Sequence, residues 1–107
     1  MAWSTEGRKT NPAAGALLAK SPPLGEGTHP FNVIATATVL ATLRVRHMDA
    51  DGVTVIESHD LKIPINNSIE VGSGPGTFVY FTSADEFFDV IVVDGIALGQ
   101  VQASIFT

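Results

Sequence analysis

The 107-residue chain predicts an all-β fold, an antiparallel β-sandwich or jelly roll of seven to eight strands preceded by an extended N-terminal arm. Three observations carry that expectation. From residue 31 onward apolar residues alternate with polar or β-branched ones, the pattern of strands with one buried face. Turn signals built from Gly, Pro, Asn and Asp recur at short intervals. Before residue 31 the alternation stops, and residues 1–30 hold four of the six prolines and four of the ten glycines. The reading therefore divides the chain into an arm, 1–30, and a β-sandwich body, 31–107.

The arm has a linker's composition. Its one helix-like stretch is Asn11-Pro12-Ala13-Ala14-Gly15-Ala16-Leu17-Leu18-Ala19-Lys20, with an N-cap residue, a proline at the first helical position and a glycine in the middle. Pro22 and Pro23 end that stretch and set an extended path toward residue 30. Large apolar side chains on a flexible strap recover their ordering entropy only by filling a pocket, so Trp3, Leu17, Leu18 and Leu24 are the expected anchors. That pocket can belong to the chain's own body, to a sister copy or to another protein. Arg8 and Lys9 are the charges expected to meet acidic patches of a neighbour.

In the body, Phe31, Val33, Ala35, Ala37, Val39, Ala41, Leu43 and Val45 occupy the odd positions of one long alternating run. That length exceeds one ordinary strand, which predicts a break near residues 38–41. Asp49-Ala50-Asp51-Gly52 predicts a turn with Gly52 at positive φ, and residues 53–56 begin the return strand. Leu61-Lys62-Ile63-Pro64-Ile65 alternates again, and Pro64 places it at an edge or bulge. Asn66-Asn67-Ser68 reads as a polar turn, residues 69–71 as a short strand and Gly72-Ser73-Gly74-Pro75-Gly76 as a loop. Further strands are expected at 77–82, 88–94 and 100–106, the last with Val101, Ala103 and Ile105 inward.

No constellation in the sequence names a reaction. Ser58-His59-Asp60 has the letters of a hydrolytic triad, but neighbours on a strand point to opposite faces and triads assemble from separate segments. His29, His47 and His59 lack the spacing that preorganises a metal site. Asp49-x-Asp51-Gly52 lacks the remaining acidic ligands of a calcium loop, and the glycine-rich loop lacks the lysine of a phosphate cradle. Neither catalytic residues, a metal nor a cofactor is expected. Of the adjacent Phe87 and Phe88, one ring is expected in the core. Arg44 and Arg46 suit either cross-strand ion pairs or the acidic groups of a partner.

Charge narrows the partners. The net charge of -5 disfavours nucleic acid, whose recognition needs a positive surface. The arm carries three bases against two acids and the body three bases against nine acids, so the two differ in sign. No apolar run approaches the roughly 20 residues that span a bilayer, and the opening residues lack the apolar core of an export signal. With no cysteine to staple it, a body this small is expected to associate with copies of itself.

The opening AWSTEGRKTNPAAGALLAKSPPLGEGTHPF, the alternating FNVIATATVLATLRVRH and the closing GQVQASIFT together give a layout that resembles the small capsid decoration, or cement, proteins of tailed bacteriophages. The resemblance implies a non-enzymatic virion protein. It would bind the outside of the shell where units of the major capsid protein or another virion protein meet, often as a homotrimer, and reinforce it. On that reading Trp3, Arg8, Lys9, Leu17, Leu18 and Leu24 contact the partner, and removal of residues 1–24 would leave a folded body that no longer binds. The alternative is a carbohydrate- or receptor-binding sandwich acting through the loops at 49–52, 72–76 and 84–87.

Overall fold

A computed structural model describes residues 3–63, 67–71 and 78–107. Among them ten strands form two antiparallel sheets, with no helix. They are β1 (Trp3–Ser4), β2 (Lys9–Thr10), β3 (Leu17–Lys20), β4 (Gly27–Ala37), β5 (Ala41–Met48), β6 (Val55–Ile63), β7 (Asn67–Val71), β8 (Phe78–Thr82), β9 (Phe87–Val92) and β10 (Gln100–Phe106). In the first sheet β10 lies between β4 and the short β1 and β2, while β7 and β8 pair successive halves of β4. The second sheet runs β3-β9-β5-β6. No helix of the described chain is long and apolar enough to cross a membrane.

Period-two burial builds the core. Val33, Ala35 and Ala37 of β4 and Val101, Ala103 and Ile105 of β10 face inward from the first sheet. Leu18, Leu43, Val45, Ile63, Phe88, Val90 and Val92 meet them from the second, and all these side chains are buried. The expected break falls where the chain leaves the first sheet for the second, between Ala37 and Ala41. Thr38 secures the crossing by donating its N–H to the Gln100 carbonyl at 2.9 Å and accepting the Gln100 N–H on Oγ1 at 2.8 Å. Here Gly99 is required by space, because a Cβ on it would lie 2.7 Å from Val39 Cγ2.

The β5–β6 hairpin turns as its sequence predicts. Gly52 takes φ +75°, and Asp51 Oδ1 accepts the Val53 and Thr54 amides, each at 2.8 Å, while Oδ2 accepts the Thr54 hydroxyl at 2.6 Å. The carboxylate is therefore occupied with closing a turn. β10 has the bounds expected of it, and β8 and β9 lie within one or two residues of expectation. Asn67 and Ser68, expected in a turn, instead begin β7 opposite Ala37 and Thr36. Pro64, Asn66 and the glycine-rich stretch 72–76 lie outside the described residues.

Two expectations about residues 1–30 are corrected. The helix-like stretch is not a helix. Gly15 takes φ +85° and breaks it, and residues 17–20 form β3 against β9, where Leu18 and Ala19 lie at 0% exposure. The position beside a buried strand with an unpaired edge overrides a weak helical signal. Nor does the chain divide at residue 30. β4 runs through it, and β1, β2 and β3 belong to the same two sheets as the body.

The expectation of a folded body without residues 1–24 falls with that division, since truncation there removes β3 and the buried Leu18, Ala19 and Leu24. The truncated chain should show no cooperative unfolding by circular dichroism. Leu18→Ala in the full chain should cost about 2–5 kcal/mol in denaturant titration. Leu17→Ala, at a half-buried position, should cost clearly less.

Candidate functional site

The two sheets present different chemistry to solvent. On the outer face of the second sheet, charged side chains neutralise one another across strands. Arg44 of β5 grips Asp60 of β6 through Nε at 2.8 Å and through its NH2 nitrogen at 3.2 Å. Arg46, two residues on, grips Asp89 of β9 in the same two-pronged way at 2.7 and 2.6 Å. Lys20 of β3 places its ammonium 4.8 Å from the centroid of Phe87. Period two sets Arg44 and Arg46 on one face, and the register sets an acid beside each. Of the two readings of these arginines, the geometry is that of cross-strand ion pairs.

The outer face of the first sheet carries no charge among its described side chains. β10 contributes Gln100, Gln102, Ser104 and Phe106, and β4 contributes Asn32, Ile34 and Thr36 beside them. β1 adds Trp3, which pairs in register with Phe106 and lies over it at 5.2 Å between ring centroids. Trp3 remains 47% exposed and Ile34 36% exposed. The apolar patch is framed by amides and hydroxyls, and at the far end of β10 Arg8 donates to Gln100 Oε1 at 3.4 Å. An exposed aromatic anchor on a face whose described side chains are neutral has the composition of a protein contact surface.

The six residues expected to contact a partner are thus separated. Trp3 and Arg8 lie at opposite ends of the neutral face, against Phe106 and Gln100, the two ends of β10. Lys9 and Leu17 line an open groove of about 350 Å³ between β2 and β3, with Glu6, Thr10, Pro12 and Ala16 completing its walls. Leu18 and Leu24 are corrected as contact residues, because both are buried in the chain's own core. Their pocket is in cis: the Leu24 N–H bonds the Glu86 carbonyl at 2.8 Å, and the Asp85 N–H bonds the Leu24 carbonyl at 2.8 Å.

Sequence reasoning missed Phe106 and Ile34. The signal was present in the outward set Gln100, Gln102, Ser104 and Phe106, an unusually uncharged series in an acidic chain. Only the pairing of β1 with β10 shows that Trp3 joins it.

The remaining polar candidates are occupied locally. His29 Nε2 is 2.7 Å from the Gly25 carbonyl, His47 Nε2 is 3.0 Å from Glu86 Oε1, and His59 Nε2 is 3.0 Å from Glu57 Oε1. No three acidic or imidazole groups among the described residues are grouped to hold a metal ion. Ser58, His59 and Asp60 are consecutive on β6, and Asp60 is turned to Arg44 rather than to His59. Phe87 and Phe88 are both buried, one more ring than expected, because Lys20 and its strand cover the outward one.

The two arginine pairs should respond unequally to mutation. Asp89 is buried with its side chain 5% exposed, so Arg46→Ala strands a carboxylate and should cost about 3 kcal/mol. Arg44→Ala, at a solvent-exposed pair, should leave the unfolding midpoint nearly unchanged. Acid should act at the hairpin. The Thr54 hydroxyl and then the Thr54 and Val53 amides hold the Asp51 carboxyl below its usual value of 3.8. A depressed folded-state value stabilises above the ordinary carboxylate range and ceases to do so as pH falls through the folded value. The protection of the Val53 and Thr54 amides, their exchange rate relative to that of an unstructured peptide at the same pH, should therefore hold from neutrality down to the ordinary carboxylate range and fall only below it. No protein-family model matches the chain, and no curated protein shows significant similarity to it.

Proposed function

We propose that the chain is a non-enzymatic structural protein of a virion, a decoration or cement protein that docks its neutral face on the outer surface of a capsid shell. The observation that carries this reading is the half-exposed Trp3 lying on Phe106 at one end of a sheet face whose described side chains, Ile34 among them, are uncharged, with Arg8 at the other end of β10. A tryptophan fixed by a neighbouring ring loses little entropy on docking, and the flat sheet around it offers amides and hydroxyls for a polar rim. The contact residues in this reading are Trp3 and Arg8, with Lys9 and Leu17 on the adjoining groove. The net charge of -5 leaves most of the surface unsuited to nucleic acid and compatible with a protein partner.

Reinforcement follows from mass action. A protein that binds only the assembled shell raises the free energy of disassembly with every site it fills, and repeated sites add to the effect. No turnover is involved.

The proposal requires a tailed bacteriophage genome that carries this sequence, and co-sedimentation of the purified chain with shells of that phage tests it. Saturable binding and a higher temperature of shell disruption are expected. Trp3→Ala combined with Arg8→Glu should weaken binding by at least about tenfold, the loss of a hot-spot anchor and its rim charge, with unfolding still cooperative. Absence of shell binding together with reproducible hits on a glycan array would replace this reading with the carbohydrate-binding module.

A further inference from the structure

The β5–β6 hairpin extends beyond the cover of the first sheet. Every residue from 51 to 60 is exposed, so both faces of β6 meet solvent over residues 55–60. Val53 is 81% exposed, and Val55 and Ile56 are also exposed. β6 is the edge of the second sheet, and among the described residues it pairs with β5 alone. Its outer N–H and C=O groups thus form an open ladder beside apolar side chains. Proteins blunt such an edge with a proline, with charges or bulges, or cover it; Val55–Ile63 contains no proline, and its charges, Glu57 and Asp60 against Lys62, are of both signs and can be met by a second copy.

We propose that this edge is covered by the same edge of a second copy, the two β6 strands running antiparallel about a two-fold axis through Ser58. The occupant is argued from β6 itself. A two-fold axis perpendicular to a sheet keeps each side chain on its own face, so residues pair symmetrically about the axis. With the axis at Ser58, Glu57 stands opposite His59 of the second copy, and the pair occurs twice. β6 is regular from Glu57 to Ile63, and the bulge that leaves Ile56 unpaired between Glu57 and Val55 sets these two exposed apolar residues at the margin of the pairing. Moving the axis to Glu57 sets the two glutamates face to face, and moving it to His59 does the same to the histidines. Like groups directly opposite are unfavourable, so the axis at Ser58 is preferred to its two neighbours.

The neighbouring strand continues the pattern. Glu57 is already in register with His47, whose Nε2 is 3.0 Å from Glu86. Pairing therefore extends a row Glu86, His47, Glu57 and His59 of the second copy, in which acids and imidazoles alternate. The result is one continuous sheet of eight strands with no exposed β6 edge. It is a two-fold contact, distinct from the three-fold arrangement implied by the resemblance to decoration proteins. It also lies on the opposite sheet from the Trp3 face, so it stands or falls independently of shell binding.

The chain has no cysteine, which allows a clean cross-linking test. Ser58→Cys brings two thiols together across the axis at the separation of directly opposed residues, within disulfide reach. Lys62→Cys is the control, because its two copies would lie about 27 Å apart in this register. Sedimentation of the unmodified full-length chain should give the mass of two chains, and mild oxidation should cross-link the first variant and not the second. His59→Glu should dissociate the pair, and adding Glu57→His to it should restore association by exchanging the two groups. Circular dichroism should show all variants folded, since the substituted side chains are exposed. A one-chain or three-chain mass, equal cross-linking of the two cysteine variants, or failure of the double exchange to restore association would overturn the proposal.

Discussion

Strand β9 is the constraint on which the rest of the structure depends. Four of its six residues in succession, from Phe87 to Val90, are buried, so its backbone groups are shut off from water on both faces and must be paired along both edges. β5 satisfies one edge. The other is met by the N-terminal segment in an almost continuous zipper. The Gly15 N–H bonds Val92 O at 2.7 Å and the Val92 N–H bonds Ala16 O at 3.0 Å. Residues 17–20 follow as β3. Ser21 then closes both sides of Phe88, donating its N–H to the Phe88 carbonyl at 2.8 Å and accepting the Phe88 N–H on Oγ at 2.9 Å. A proline-rich segment is compatible with this because Pro22 and Pro23 fall between the paired donors of Ser21 and Leu24.

That zipper decides which of the N-terminal residues remain available to a partner. With Leu18 and Leu24 committed to the core, the segment is held at one end by burial and is laid along β10 at the other. Trp3 and Arg8 consequently reach the surface on a firm support. The Thr5 hydroxyl, donating to the Ala103 carbonyl at 2.7 Å, and the Glu6 N–H, bonded to the Leu18 carbonyl at 2.9 Å, tie the intervening stretch to both sheets. A preorganised anchor binds more tightly than a strap that must order on contact.

The distribution of charge separates the two outer faces physically. On the second sheet the arginines are used up on neighbouring acids, where the exposed Arg44–Asp60 pair contributes little and the partly buried Arg46–Asp89 pair locks the register of β5 on β9. On the first sheet the described outward side chains are neutral amides, hydroxyls and three apolar groups, which cost little to desolvate when a partner arrives. The open edge of β6 is a third kind of surface, where unpaired backbone rather than side chains provides the attraction.

Much of this was legible from residue order. Alternation in 31–45 and 100–106 identified the inward faces, and the break near residue 38 followed from length. The Asp-Gly turn followed from local chemistry, since Gly52 and the Asp51 carboxylate act on residues within three positions. Period two and turn formation are short-range properties, and a sequence reports them directly. The N-terminal segment was misread because its structure is borrowed. A stretch with weak helical preference becomes a strand only because β9, some 70 residues away in the chain, offers a buried edge. The union of Trp3 with Phe106, the partners of Arg44 and Arg46 and the exposure of β6 have the same origin. Each depends on which strands lie side by side, and that order is set by burial over the whole molecule rather than by neighbours in the chain.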